Sequence, residues 1–166
     1  NIFHKYTRRL KMANIAQIAN VLQSMVLTRG EEMVLTPTYH VFRMYNVHQD
    51  AVYLPTTCNS ARFTDGNGRQ CPYVDATASR NSEGTVNLTL TNVSLDQTAE
   101  VTIALNVKGK PAIGGEILTS ADIQDHNDFG SPDKVRPAEF KDFKVKDGIL
   151  TVRMPAKSII SLSVKE

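Results

Sequence analysis

The sequence predicts a mostly β protein: a two-sheet β-sandwich over residues 51–166, preceded over residues 1–50 by the helix, strand and helix of a parallel β/α repeat. Three observations carry this. After Asp50, short runs of alternating apolar and polar residues are broken by Gly, Asn, Asp and Pro, the pattern of half-buried antiparallel strands. Before it, "LKMANIAQIANVLQ" from Leu10 to Gln23 is apolar and uncharged after Lys11, with an amide at every third position: Asn14, Gln17, Asn20 and Gln23. Finally, Thr36-Pro37 has the form of a helix start, a capping hydroxyl followed by Pro at the first helical position.

In chain order, "NIFHKYTRR" reads as a helix with Ile2, Phe3, Tyr6 and Leu10 on one side, and Arg8 and Arg9 complementing its carboxyl end. The first residue, Asn1, opens directly into helical text, so the chain is expected to begin within a domain. If residues 10–17 were helical, the amides would drift about 60° per step and appear on every side. As a strand, Met12, Asn14 and Ala16 face one way and Ala13, Ile15 and Gln17 the other. Both faces are then largely apolar, as in a parallel strand covered on both sides. In a β/α barrel the chemistry sits at the carboxyl ends of the strands. Gln17 stands at that end, as a candidate ligand contact or as an amide satisfying backbone groups at the rim. Asn14 is expected to hydrogen-bond inside, and Asn20 and Gln23 to tie down the loop leaving the strand. The second helix carries Val41, Phe42, Met44, Tyr45 and Val47.

In the second part, "TVNLTLTNV" presents Val86, Leu88 and Leu90 on one face, and "AEVTIALNV" presents Val101, Ile103 and Leu105. "FKVKDGILTVRMP" is a hairpin in which Asp147-Gly148 supplies the turn and Leu150, Val152 and Met154 the inward face. "SIISLSVK" closes the chain with Ile160, Leu162 and Val164. Seven or eight short strands in this part indicate two stacked sheets, with an irregular insertion from Ser120 to Pro137.

Composition bounds the function. The 166 residues are 41% hydrophobic and 22% charged, enough for one solid core and too apolar for disorder. Lys and Arg number 19 against 17 Asp and Glu and are scattered, so no basic stripe points to nucleic acid. No apolar run approaches the roughly 20 residues of a membrane span, and the first residues lack the order of a signal peptide, so a soluble protein is expected. Cys58 and Cys71 flank a loop that would allow a disulfide, and two free thiols on neighbouring strands fit equally well. Neither has a second Cys or His at metal-ligand spacing.

Other residues have ordinary readings. Glu31 and Glu32 follow Arg29-Gly30 and read as a solvated turn, since sequence neighbours rarely face one substrate. His40 and His48 lie eight residues apart, a poor metal spacing, and read as packing or helix-end residues. His126 reads as a loop brace, and Tyr39, Phe42 and Tyr45 as core. Asn87-Leu88-Thr89 and Asn92-Val93-Ser94 match the glycosylation sequon but fall on or beside a strand.

The stretches "MANIAQIANVLQSMVLT", "MVLTPTYHVFRMYNVHQDA", "GGEILTSADIQDHNDFGSPDKVRP" and "MPAKSIISLSV" together closely resemble the carboxyl-terminal third of family-51 α-L-arabinofuranosidases. The resemblance covers essentially the whole chain in the expected order. It implies a retaining glycoside hydrolase with a catalytic β/α barrel followed by a jelly-roll β-sandwich. Such an enzyme removes terminal arabinofuranosyl units from arabinoxylan and arabinan oligosaccharides and needs no cofactor or metal. Residues 1–50 would be the carboxyl-terminal fragment of the barrel, and 51–166 the sandwich domain. The two catalytic glutamates of the family lie on earlier barrel strands and have no counterpart in these 166 residues. The resemblance also implies that Gln17, in the "AQ" pair ending the last barrel strand, contacts the arabinofuranose next to the cleaved bond. The implied partners are the amino-terminal barrel portion of the same enzyme, arabinofuranosyl oligosaccharides and further copies of the enzyme, often as a hexamer. The implied compartment is most often the cytoplasm, with periplasmic or secreted enzymes also compatible. A second reading, a non-catalytic sandwich binding carbohydrate or a subunit, is weakened by the absence of Trp and the 7% aromatic content.

Overall fold

The computed structural model describes residues 1–15, 17–105 and 111–165. Along the chain it contains helix α1 (Ile2–Lys5), the hairpin β1 (Val26–Arg29) and β2 (Glu32–Leu35), helix α2 (Pro37–Tyr45) and a 3₁₀ turn (Asn46–His48). Strands β3 (Val52–Leu54), β4 (Arg62–Thr64), β5 (Gln70–Pro72), β6 (Val74–Arg80), β7 (Val86–Asn92) and β8 (Ala99–Ala104) follow. The last five are β9 (Ala112–Thr119), β10 (Ala138–Glu139), β11 (Phe143–Lys146), β12 (Ile149–Met154) and β13 (Ser158–Lys165).

Two sheets face each other across one core. The larger has the order β10-β9-β13-β7-β6-β3 and the smaller the order β11-β12-β8. Every pairing in them is antiparallel. Their inner faces meet through Val74, Ala76 and Ala78 of β6, Leu88 and Leu90 of β7, Ile160, Leu162 and Val164 of β13, and Leu150, Val152 and Met154 of β12. Period-two alternation places each set on one side of its strand, and Leu150, Val152, Met154, Ile160 and Leu162 are completely buried. The β-sandwich expected from the alternating runs is therefore present, with the inward residues as read. The hairpin turn is also as expected, with Asp147 at φ 51° and Gly148 at φ 76°. Of the strand read in "AEVTIALNV", Asn106 and Val107 lie outside the described residues.

The outer face of the larger sheet departs from the expectation of a half-buried strand. Thr77 and Ser79 of β6 and Asn87 and Thr89 of β7 are buried, because the 3₁₀ turn and α1 lie across them. Helix α2 starts as expected, with Thr36 Oγ1 accepting from the Tyr39 N–H at 3.4 Å. It packs Met44 and Val41 against Leu118, Ile159 and Val135. The larger sheet is thus a middle layer between the smaller sheet and a helical cover.

Three expectations in the first 50 residues are corrected. Residues 10–15 and Gln17 form no strand, and they are exposed; Ala16 lies outside the described residues. A parallel strand gains its hydrogen bonds from neighbours on both edges, and no strand among the described residues lies beside this segment. Helix α1 is shorter than the nine residues expected, and its apolar side, Ile2, Phe3 and Tyr6, faces away from the sheet. Phe42 is not core but 45% exposed. The hairpin β1–β2 was not anticipated; its turn is Gly30 at φ 60°, the glycine beside the acidic pair.

Candidate functional site

Gln17 is exposed at the end of the irregular segment that the sequence reads as a strand. Immediately after it the chain becomes anchored. The Ile18 carbonyl accepts from the Met25 and Val26 N–H groups at 2.9 and 3.1 Å, and the Asn20 N–H donates to the Val26 carbonyl at 3.1 Å. Asn20 is the loop-tying amide the sequence suggested. Its side chain donates to Thr28 Oγ1 and accepts from the Thr28 N–H, both at 2.8 Å, with its own backbone at φ 55°. Asn14 is exposed, not internal, for the reason that leaves its segment without strand partners. Gln23 takes the left-handed conformation at φ 62°.

The hairpin β1–β2 projects from this anchored loop and meets the insertion 120–137. Arg29 places its guanidinium 4.2 Å from the centre of the Phe129 ring and pairs with Glu32 at 2.9 Å. Glu31 and Glu32 are exposed at the turn, as read. The insertion is irregular, as expected, yet fixed from within. Asn127, 2% exposed, donates to the carbonyls of Leu35 and Val135 at 2.8 Å each and accepts from the Val135 N–H at 2.7 Å. Asp125 accepts from Lys134 at 2.7 Å and from the Ser120 hydroxyl. Those two hydrogen bonds hold its carboxyl at about 2. His126 is an exposed brace, its Nδ1 bonded to the Gln124 carbonyl at 2.9 Å.

A second polar cluster lies where α1 and the 3₁₀ turn cross the larger sheet. His48 reaches Ser79 Oγ at 2.7 Å and Thr89 Oγ1 at 2.8 Å with its two ring nitrogens. His4 contacts Thr77 Oγ1 at 3.1 Å and lies edge-on to His48, with centroids 4.9 Å apart. The Tyr45 hydroxyl donates to Asn1 Oδ1 at 2.7 Å, and Lys5 pairs with Asp75 at 2.6 Å. Burial, with His4 alongside, lowers the His48 imidazole to about 4. Burial also raises the Tyr45 phenol. The cluster holds helical cover on sheet; it is packing chemistry, in keeping with the reading of His48 as a helix-end residue. The signal available in the sequence was the run of small uncharged residues Thr77, Ser79, Thr89 and Thr91, where a solvent face normally carries Lys or Glu.

The remaining candidates fall into place. His40 is buried against α2's neighbours, and neither ring nitrogen has a hydrogen-bond partner among the described residues; burial, then Arg43, lowers its pKa. Cys58 and Cys71 are free thiols. Asn87 and Asn92 are 3% and 2% exposed, and their amides serve the backbone: Asn87 donates to the Val47 carbonyl, Asn92 to those of Gln97 and Pro155. Neither sequon is accessible. Among the described residues no three His, Cys, Asp or Glu side chains gather as a metal site.

The fold and its site define a β-sandwich module that carries one exposed, apolar amino-terminal segment and packs its own helical cover through buried amides and imidazoles. Comparison with known proteins gives the family. The α-L-arabinofuranosidase C-terminal domain matches residues 1–158, and the chain belongs to that family. It is 52% identical over 166 residues to the intracellular exo-α-L-arabinofuranosidase of Bacteroides ovatus, covering 99% of this chain and 32% of that protein. The crystal structure of the family-51 arabinofuranosidase from Xanthomonas axonopodis pv. citri superimposes with a TM-score of 0.90 at 40% identity, over 99% of this chain and 33% of that one. The arabinose complex of the Thermotoga maritima α-L-arabinofuranosidase shares the fold, with a TM-score of 0.84 at 20% identity over 98% of this chain and 35% of that one. The chain thus spans about a third of the length of these relatives.

Proposed function

We propose that this chain works as the carboxyl-terminal part of a retaining α-L-arabinofuranosidase that hydrolyses terminal non-reducing α-L-arabinofuranosyl residues of arabinoxylan and arabinan oligosaccharides. The observation that carries the reading is the match at 52% identity along the whole chain to a relative named for that activity. Residues 1–50 supply the end of the catalytic barrel, and 51–166 are the sandwich domain. The two carboxylates of a retaining mechanism, about 5 to 5.5 Å apart, belong to the preceding barrel of the same polypeptide.

In this reading the segment from Leu10 to Gln17 becomes a strand when barrel neighbours supply hydrogen bonds to both its edges. The outward-facing Ile2, Phe3, Tyr6 and Met12 are then covered by that barrel. Gln17 ends the strand and hydrogen-bonds the arabinofuranose beside the cleaved bond. The name of the Bacteroides relative supports a cytoplasmic compartment. Assembly of several copies is part of the same proposal.

The experiment is kinetic. In the full-length enzyme, Gln17→Ala lowers kcat/KM for an aryl α-L-arabinofuranoside by about 10- to 100-fold, the effect of losing a hydrogen bond to bound sugar, while the folded fraction stays unchanged. The 166-residue chain alone shows no hydrolysis. Unchanged kcat/KM in Gln17→Ala removes Gln17 from the sugar site, and turnover by the isolated chain refutes the placement of catalysis elsewhere.

A further inference from the structure

The hairpin β1–β2 and the insertion 120–137 meet in a contact that stability does not explain. Arg29 holds its guanidinium 4.2 Å from the centre of the Phe129 ring and pairs with Glu32 at 2.9 Å. Yet 63% of the Arg29 side chain and 57% of that of Glu32 remain open to solvent, and at such exposure a cation–π contact and an ion pair each contribute little. Other bonds do the holding. Asn127 donates to the Leu35 carbonyl at the end of β2, and Asn20 clasps Thr28 in β1. The insertion is fixed from within by Asn127 with Val135 and by Asp125 with Lys134. Arg29, Glu32 and the half-buried Phe129 are thus presented to solvent from two anchored supports.

We propose that Arg29, Glu32 and Phe129 bind the leaving-group side of the oligosaccharide, the pentosyl chain from which the terminal arabinofuranosyl unit is cut. The inference rests on the proposed function, in which Gln17 ends the last barrel strand. In a β/α barrel the segment that follows a strand lies on the face where the chemistry occurs. The chain between Gln17 and α2 is that segment, and the hairpin is its projecting part. The Ile18 carbonyl accepts from the Val26 N–H, and Arg29 lies three strand residues further on, about 10 Å along β1. The pair Arg29–Phe129 is therefore placed beyond the sugar that Gln17 holds, within reach of the next units of a short chain.

The chemistry suits a neutral ligand rich in hydroxyl groups. Arg29 and Glu32 cancel in charge, and together they offer guanidinium donors and carboxylate acceptors. The Phe129 ring and the guanidinium plane present flat faces to the C–H side of a pentose. An anionic polymer would meet the exposed carboxylates of Glu31, Glu32 and Asp128 beside the pair and be repelled. Phe129 belongs to the sandwich part of the chain, so the sandwich supplies one wall of the substrate site. The Asn127 clasp preorganises the loop that carries it, and little chain entropy is lost on binding.

Kinetics of the full-length enzyme on two kinds of substrate test this. An aryl α-L-arabinofuranoside has no sugar beyond the cleaved bond, whereas arabinoxylan- and arabinan-derived oligosaccharides do. In Arg29→Ala and in Phe129→Ala, the ratio of kcat/KM for the better oligosaccharide to kcat/KM for the aryl substrate falls about 10-fold, the effect of losing a contact to bound sugar. Melting temperatures are compared alongside; Arg29→Ala, on an exposed side chain, decides the matter if Phe129→Ala disturbs the insertion. A ratio that stays or rises overturns the proposal: equal losses on both substrates would make the pair a brace, and no loss on either would place it outside the reaction. An active parent with an unchanged ratio in the variants rejects this inference alone. A parent inactive on both kinds of substrate rejects the functional reading, and this inference with it.

Discussion

Asn127 and His48 show how single polar side chains hold irregular chain in place. Three bonds from one buried amide fix the insertion to β2 and to itself. Asn127→Ala leaves two carbonyls and one N–H unpaired in a dry site and costs about 2 to 4 kcal/mol, read as a lower urea midpoint. A loss below about 0.5 kcal/mol would mean that the insertion is held by other contacts. His48 adds a pH dependence. Its imidazole titrates near 4 when folded, against 6.5 when free, so the unfolded chain binds the proton first. The stability this provides is present above about pH 6.5 and is lost as the pH falls towards 4. His48→Gln removes that part of the slope, while the lowered pKa of His4 keeps a smaller one of the same sign. Urea titrations at pH 7.5 and 4.5 decide this; equal losses for both proteins contradict it.

At the scale of elements, close packing of strands sets the constraint. A Cβ at position 115 in β9 would lie 2.8 Å from Leu162 Cδ2 and 2.9 Å from the Phe140 carbonyl oxygen. The Phe140 backbone is itself held there, its N–H donating to the Gly115 carbonyl at 2.9 Å, so it has little freedom to retreat. Gly115→Ala therefore destabilises by about 1 to 3 kcal/mol. Its neighbour Gly114 has nothing within 4 Å of a new Cβ, and Gly114→Ala serves as the control, within about 0.5 kcal/mol of the parent. Equal melting temperatures for the two variants would show that β9 can shift. Element identity was legible wherever period-two alternation was strong, in β7, β12 and β13, because one buried face fixes both period and register. The hairpin β1–β2 was not, since "VLTRGEEMVL" is short and continuous with apolar chain on both sides.

For the molecule as a whole, the amino-terminal segment decides its behaviour. Ile2, Phe3, Tyr6, Met12, Ile18 and Leu22 are all exposed, the last by 87%. Isolated apolar side chains are unremarkable on a surface, but six within one 21-residue stretch form a surface that associates. The 166-residue chain on its own is expected to self-associate at micromolar concentration, giving a light-scattering mass well above 18.4 kDa. A concentration-independent monomer would show that this segment covers itself.

Sequence alone determined the sandwich, the inward residues of its central strands, the Asp147-Gly148 turn and the Thr36-Pro37 helix start, because each depends on local chemistry or on a short period. It also carried the family resemblance. Only the tertiary structure decided that the polar face of β6 and β7 is buried beneath helical cover, that Asn127 is a core residue, and that residues 10–15 and Gln17 form no strand within this chain. Burial of a face and completion of a strand depend on what lies opposite and alongside, and those neighbours are distant in sequence or lie beyond it.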